Sequence, residues 1–455
     1  MRALKIIEGI GRLGRRFSDA VQQQLVWIRF VDFLVLILAA VFPWSTTAAT
    51  GLVLLIFPSI WITHGTAQMI AELKRPACAL PVALVVLAVI GTSWSVGTPW
   101  PDRLHALTKV WKLLWLWPLY LHFQKTPRIV PIFTAYAVSN LLLLVFSSLM
   151  FLSSDVNHLV TAKQPGVPLK NYIDQSQGFV FVAVILLAIA GESLRDGRRW
   201  NSILFGVGSA VFFGNLAFVN VARTAFFYIP AMLSLVGWRY ARRRVFLIFL
   251  SAMFMVGAAL WASSPVLQSK VARLLKEVEA FQHNATVVEG YEAGGAERLE
   301  FWRKSIGFVS SAPIIGHGTG STERLIADAA AGETGLMAKV ANNPHNQTLA
   351  VAIQWGLVGC LLLYAMWCVH ASLFLDCFAV PRAGLFALIG LVAVVQNFLS
   401  SAFNSHLFDF YEGWLYVLTI GIVGGHLRRI NVLKFAKNAE VNLNTHRLQI
   451  VQEQS

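Results

Sequence analysis

Residues 342–367 read NNPHNQTLAVAIQWGLVGCLLLYAMW. Amide side chains crowd one histidine, His345, and the next twenty or so residues are almost wholly apolar. A helix rising 1.5 Å per residue needs about twenty such residues to cross a hydrocarbon core of about 30 Å, so this stretch reads as the mouth of a membrane helix. Asn343 suits the N-cap, Pro344 the first helical position, and His345 then falls in the first turn. The positive end of a helix disfavours imidazolium, which predicts a neutral His345 able to accept a proton. Free N–H groups at the same end offer a place for an anion. The plainer reading is a polar helix start in which Asn342, Asn343, His345 and Asn346 only satisfy backbone groups.

The same arithmetic applies along the chain. Of 455 residues, 56% are apolar and 13% charged. Apolar runs fall at about 28–44, 47–63, 78–95, 107–122, 129–152, 176–192, 202–220, 224–238, 245–262, 347–369, 384–402 and 410–426. The expected fold is therefore an all-α polytopic membrane protein with about twelve transmembrane helices and one large, partly helical loop outside the bilayer. Its parts would be a basic cytosolic arm (1–27), nine spans (28–262), the loop domain (263–346), three spans (347–427) and a cytosolic tail (428–455), polar and without fixed structure from about 435.

Charge sets the orientation. With the N-terminus inside, 23 of the 37 Lys and Arg residues fall on the cytosolic side, and eight of the remainder belong to the long loop, which the positive-inside rule does not count. Both termini are thus expected in the cytosol, with WRYARRR and HLRRINVLK as inner anchors. The net charge of +14 is read as topology and contact with anionic lipid, not as affinity for nucleic acid. The first residues lack the apolar core and cleavage site of a secretory signal. Cys78, Cys360, Cys368 and Cys377 form no CxxC pair, which argues against disulfides or zinc.

Outside the spans, nine carboxylates, among them Glu277, Glu289, Glu297 and Glu323, face eight basic residues in the long loop. SKVARLLKEVEAFQ and ERLEFWRKSIGFV carry helical apolar spacing, so this loop should form a cap. Arg223, in NVARTAFFYIP, lies where two apolar runs meet at the outer face. A guanidinium near lipid needs a partner: either an anion matching its forked donors, or a carboxylate such as Asp409 or Glu412. Lys109 and Lys112 share a helix face and either attract a phosphate headgroup or snorkel. Arg29 and Asp32, with the same spacing, are read as a structural pair. Gly316, Gly318 and Gly320 (GHGTG) permit close backbone approach to a phosphate, yet no P-loop lysine follows. Arg298 and Trp302, one helical turn apart, offer a cation and an aromatic face to a sugar or phosphate, or else dock an amphipathic helix on the membrane. No HExxH, Asp-x-Asp, P-loop or GxSxG pattern occurs, and no metal or cofactor is called for.

Together, Arg223-Thr224, then ERLEFWRKSIGFVSSAPIIGHGTGS, then PHNQTLAVAIQWGLVG resemble the bacterial O-antigen ligase and polymerase superfamily over about residues 200–365. The resemblance implies a GT-C-like membrane glycosyltransferase. In that family, the ligases move glycan from undecaprenyl diphosphate to a sugar hydroxyl of lipid A-core, at the periplasmic face of the inner membrane and without a metal. It implies His345 as the base and Arg223 and Arg298 as the diphosphate grip. From the residues themselves, Lys109 and Lys112 are added as diphosphate contacts, with Asn343, Asn346, Gly316, Gly318, Gly320 and Trp302 supporting the site. Ala222 stands where a serine often precedes the Arg-Thr pair. The implied partners are lipid-linked O-antigen, lipid A-core and membrane lipid, with the chain acting as a monomer. The alternatives are an O-antigen polymerase using the same donor chemistry, and a lipid-linked glycan transporter or flippase, which would place its polar groups at mid-membrane.

Overall fold

The computed structural model describes residues 2–153, 166–288, 291–292, 294–381 and 383–453; Glu289 lies outside them. The described chain is helical apart from one two-residue antiparallel pair, Val287–Val288 with Tyr291–Glu292. Its first helices are α1 (Arg2–Val41), α2 (Thr46–Glu72), α3 (Pro76–Gly91), α4 (Trp100–Val110), α5 (Leu116–Phe123) and α6 (Ile129–Leu152). Then come α7 (Tyr172–Arg195), α8 (Arg199–Phe218), α9 (Ala225–Tyr240) and α10 (Arg243–Ser263). The long loop holds α11 (Pro265–Gln282), α12 (Gly294–Ser311) and α13 (Ser321–Asp328), followed by α14 (Gln347–Phe378), α15 (Ala383–Ser400) and α16 (Phe410–Glu453).

Each of the twelve apolar runs coincides with helix, but the count of spans is not twelve by length. Among the described residues, eight helices are long and apolar enough to cross a membrane. The run at 107–122 is broken into the end of α4, a 3-10 turn (Trp111–Trp115) and α5. Helices α3 and α9 have 16 residues each, short for a span. Helix α16 runs on into the tail as far as Glu453. Asp32 does not pair with Arg29. Its carboxylate accepts from the Thr126 hydroxyl at 2.9 Å, meets His122 Nε2 at 3.0 Å and lies 3.8 Å from Arg128.

The core packs α15 and α16 with α5, α7 and α9 around side chains such as Phe179, Phe181, Tyr228, Trp355 and Tyr416. Helix α10 packs lightly on α9 and α11, with Phe246 and Phe249 against Gly237, and none of its residues 244–263 is fully buried. The gap it leaves is an apolar groove of about 880 Å³ among α8, α9, α10 and α11.

The stretch that opened the sequence reading is two helices rather than one. Gly356 takes φ 57°, ψ −153°, outside the helical region, and splits α14 into a half-helix from Gln347 and a longer segment to Phe378. The break removes two helical hydrogen bonds, freeing the carbonyls of Ile353 and Gln354 and the N–H groups of Leu357 and Val358. Unsatisfied backbone at membrane depth costs several kcal/mol per group, on the order of 2–7. The long loop answers all four: His317 and Gly318 N–H donate to Ile353 and Gln354 O at 2.8 and 2.9 Å, and Leu357 and Val358 N–H donate to Pro313 and Ile314 O at 2.8 and 3.2 Å. Residues 313–318 thus lock the long loop to the broken helix.

This lock reassigns the GHGTG motif. Gly318 sits at φ +90°, and a Cβ there would lie 2.6 Å from Ser95 Cα. Gly316 and Gly320 press equally close to the backbones of Gln354 and of Asp102 and Arg103. Thr319 completes the joint, its hydroxyl donating to Ala88 O and accepting from Trp355 Nε1. The close approach anticipated for a phosphate is made to the protein's own backbone.

Candidate active site at the histidine loop

His345 does not lie in the first turn of the half-helix. The N-cap is Asn346, whose side-chain oxygen accepts from Leu349 N–H at 3.0 Å, so the assignment of that role to Asn343 is corrected. His345 precedes the cap with φ +55°, the left-handed region that an L-residue enters only when its surroundings hold it there. Asn343 does the holding: its side-chain oxygen accepts from the His345 N–H at 2.9 Å and from the Ser405 hydroxyl at 2.6 Å. Asn346 Nδ2 donates to Ala402 O, and Gln347 N–H to Ser401 O, so the histidine loop is stitched to residues 401–405.

The imidazole orientation follows from a chain of polar partners. His345 Nδ1 lies 2.8 Å from Asn404 Oδ1, and Asn404 Nδ2 donates to Asp409 Oδ2 at 2.8 Å. The second bond fixes which way the amide points, so its oxygen faces the ring. An amide oxygen only accepts; Nδ1 therefore carries the proton and Nε2 the lone pair. Among the described residues Nε2 has no partner. Burial and the nearby Arg298 charge lower the His345 pKa below 6.5, against the Asn404 bond, which favours imidazolium. A neutral ring is thus expected, as the sequence suggested, with burial and Arg298 as the cause in place of a helix end. The carboxyl of Asp409 is pushed up to about 6, first by burial.

Arg223 sits between α8 and α9, half-buried, and pairs with Glu277 of α11. That partner is neither of the two anticipated carboxylates. Glu277 is itself buried and takes a second bond from Arg273 Nε at 3.1 Å. Arg298, on α12, has no ion pair or hydrogen bond among the described residues. It is within electrostatic reach of Arg223, Glu277 and Asp409, and its charge acts on His345 and His406. Its neighbours in sequence are committed elsewhere: Arg303 to Glu300 at 2.7 and 2.8 Å, and Lys304 to Met337 O at 2.5 Å. Trp302 faces Phe403 at 6.5 Å between ring centres, and Phe403 stacks on Phe227 at 4.2 Å. Phe301 lies 6.3 Å from the His345 ring.

The two lysines stand differently. Lys112 is buried and donates to Phe408 and Asp409 O at 2.7 and 2.5 Å, pinning the end of the 401–409 loop. Lys109 faces a polar cleft of about 220 Å³ with Asp102, Glu323 and Asp409. Sequence reasoning missed Asn404 and singled out Asp409 only as an ion-pair option. The available signal was FNSHLFD (403–409), a polar interruption between two apolar runs on the same face as His345.

Val221 and Ala225, on either side of Arg223, line the apolar groove. With that geometry in view, residues 208–364 match the family model described as O-Antigen ligase, about a third of the chain. The match takes in Arg223, Arg298, the loop lock and His345, and it supports membership of the O-antigen ligase superfamily. No curated protein matches the chain.

Proposed function

From this superfamily membership we infer that the chain is a membrane glycosyltransferase of the ligase type. It moves O-antigen polysaccharide from undecaprenyl diphosphate to a sugar hydroxyl of lipid A-core at the periplasmic face of the bacterial inner membrane. The observation that carries the reading is Arg298: a guanidinium with no ion pair among the described residues, within electrostatic reach of both His345 and Arg223, whose neighbours Val221 and Ala225 line an apolar groove of about 880 Å³.

The chemistry follows from what such a donor needs. As the sugar–diphosphate bond breaks, negative charge grows on the leaving group, and fixed cations aimed at it stabilise the transition state. Arg223, positioned by Glu277, and Arg298 serve that role, and forked guanidinium donors suit phosphate oxygens. The acceptor hydroxyl gives its proton to His345 Nε2 as it attacks, on the face opposite the leaving diphosphate, which inverts the anomeric centre. Asn404 holds the tautomer this requires. The polyprenyl chain lies along α8–α11, where the lightly packed α10 leaves lipid access from the side.

The test is a lipopolysaccharide gel of a strain lacking the chain. Loss of all polymer from lipid A-core, with polymer accumulating on the undecaprenyl carrier, is the expected result. Core bearing a single repeat would assign the chain as a polymerase, and an unchanged ladder would reject both.

A further inference from the structure

The cleft facing Lys109 adjoins the loop that carries His345, since Asn342 and Asn343 line it. It occupies about 220 Å³ between α4, α13 and the histidine loop. At about 30 Å³ per liquid water, that is room for about seven waters, or for a body on the order of one pyranose ring. Two of its lining residues belong to the support of His345: Asn343 accepts the His345 N–H, and Asp409 accepts from the amide that orients the ring.

We propose that this cleft binds a neutral saccharide unit of the acceptor, through hydroxyls held by Asp102, Glu323 and Asp409 and by the ammonium of Lys109. The proposal rests on the glycosyltransferase reading and names where its second substrate sits. Charge decides the ligand class. Three carboxylates against one lysine repel phosphate, whereas vicinal hydroxyls donate to carboxylates and accept from an ammonium or a side-chain amide. The cleft is therefore no second diphosphate site, and Lys109 acts on the acceptor side.

A second observation points to an occupant. Lys109, which lines the cleft, makes no ion pair or hydrogen bond among the described residues, although Asp409 and Glu323 both act on its charge. The walls are fixed before any ligand arrives, because Gly320 N–H donates to Gln354 Oε1 at 2.8 Å and Ser321 to Gly318 O at 2.8 Å.

The experiment is saturation-transfer NMR on the full chain in lipid nanodiscs, with methyl α-glycosides of glucose, galactose and mannose as probes and glucose 6-phosphate as competitor. At least one neutral glycoside should give signal, and that signal should fall about fivefold or more in Glu323→Gln and in Lys109→Met. Glu333→Gln, an exposed change outside the cleft, should leave it intact, and glucose 6-phosphate should compete poorly. Thermal unfolding of each variant separates lost binding from lost fold. Absence of signal from the folded native protein, equal signal in both cleft variants, or stronger binding of the phosphorylated sugar would overturn the proposal. Binding of undecaprenyl diphosphate to the same samples, and its loss in Arg298→Ala, reads the donor side separately, so failure of the cleft is distinguishable from failure of the proposed reaction.

Discussion

His345 Nδ1 and Asn404 Oδ1 lie 2.8 Å apart across two loops separated by a whole membrane helix pair. The amide oxygen there dictates the tautomer, and Asp409 holds the amide in turn. Removal of that acceptor should cost more in rate than in binding. Asn404→Leu is expected to lower kcat about 10–100-fold, by analogy with partners that orient a functional imidazole, with donor KM nearly unchanged. Because the bond favours imidazolium, its loss should also move the acid limb of the rate profile further down in pH. An unchanged limb alongside the loss of rate would assign Asn404 a purely structural part.

The acid limb itself is a prediction. A base with a lowered pKa stays active below the ordinary histidine range, so kcat should fall only as pH drops through a midpoint under 6.5. Asp409, at about 6, titrates in the same region and faces Lys112, Asp174, Lys109 and Arg298. Asp409→Asn should therefore reduce the profile to a single ionisation. Stopped assays across pH 4.5–8 on protein in nanodiscs measure both.

On the donor side, Arg298 and Arg223 should separate cleanly. Arg298→Ala leaves no buried carboxylate unpaired, so it should fold normally and weaken undecaprenyl diphosphate binding by about tenfold or more. Arg223→Ala leaves Glu277 short of a partner, and breaking a buried pair from one side costs about 3–5 kcal/mol. Arg223→Lys is the informative change there, keeping charge while losing the fork. Thermal melting beside a binding isotherm distinguishes the two effects.

The loop lock makes a prediction about stability. Gly318→Ala forces a Cβ against Ser95 at φ +90°, a cost of about 1–3 kcal/mol. Reduced thermal stability should precede any change in kcat for the folded fraction. Diphosphate binding per folded molecule should stay the same, because the glycine touches the protein rather than the ligand.

The apolar runs were legible in the sequence because period and length need no tertiary knowledge, and every run coincides with helix. The break at Gly356 was not. Its cause is a pair of carbonyls and a pair of N–H groups answered by residues 313–318, and such pairing leaves no mark in hydropathy. The same limit hid Asn404, which is near His345 only after the chain has crossed and returned. His345 and Arg223 were visible as polar residues out of place against lipid, and Arg298 as a cation one helical turn from Trp302. The partner of Arg223 was not, since Glu277 is one of several carboxylates in the long loop. Lys112 misled because a lysine bonded to two carbonyls and one facing a ligand look alike in sequence.

The most direct measurement is transfer by purified His345→Ala protein in nanodiscs, with lipid-linked glycan and lipid A-core as substrates. The account predicts a fall in kcat of about 10²–10⁴-fold, with donor affinity within about twofold of the native protein. A correctly folded His345→Ala protein that transfers glycan at the native rate would contradict it.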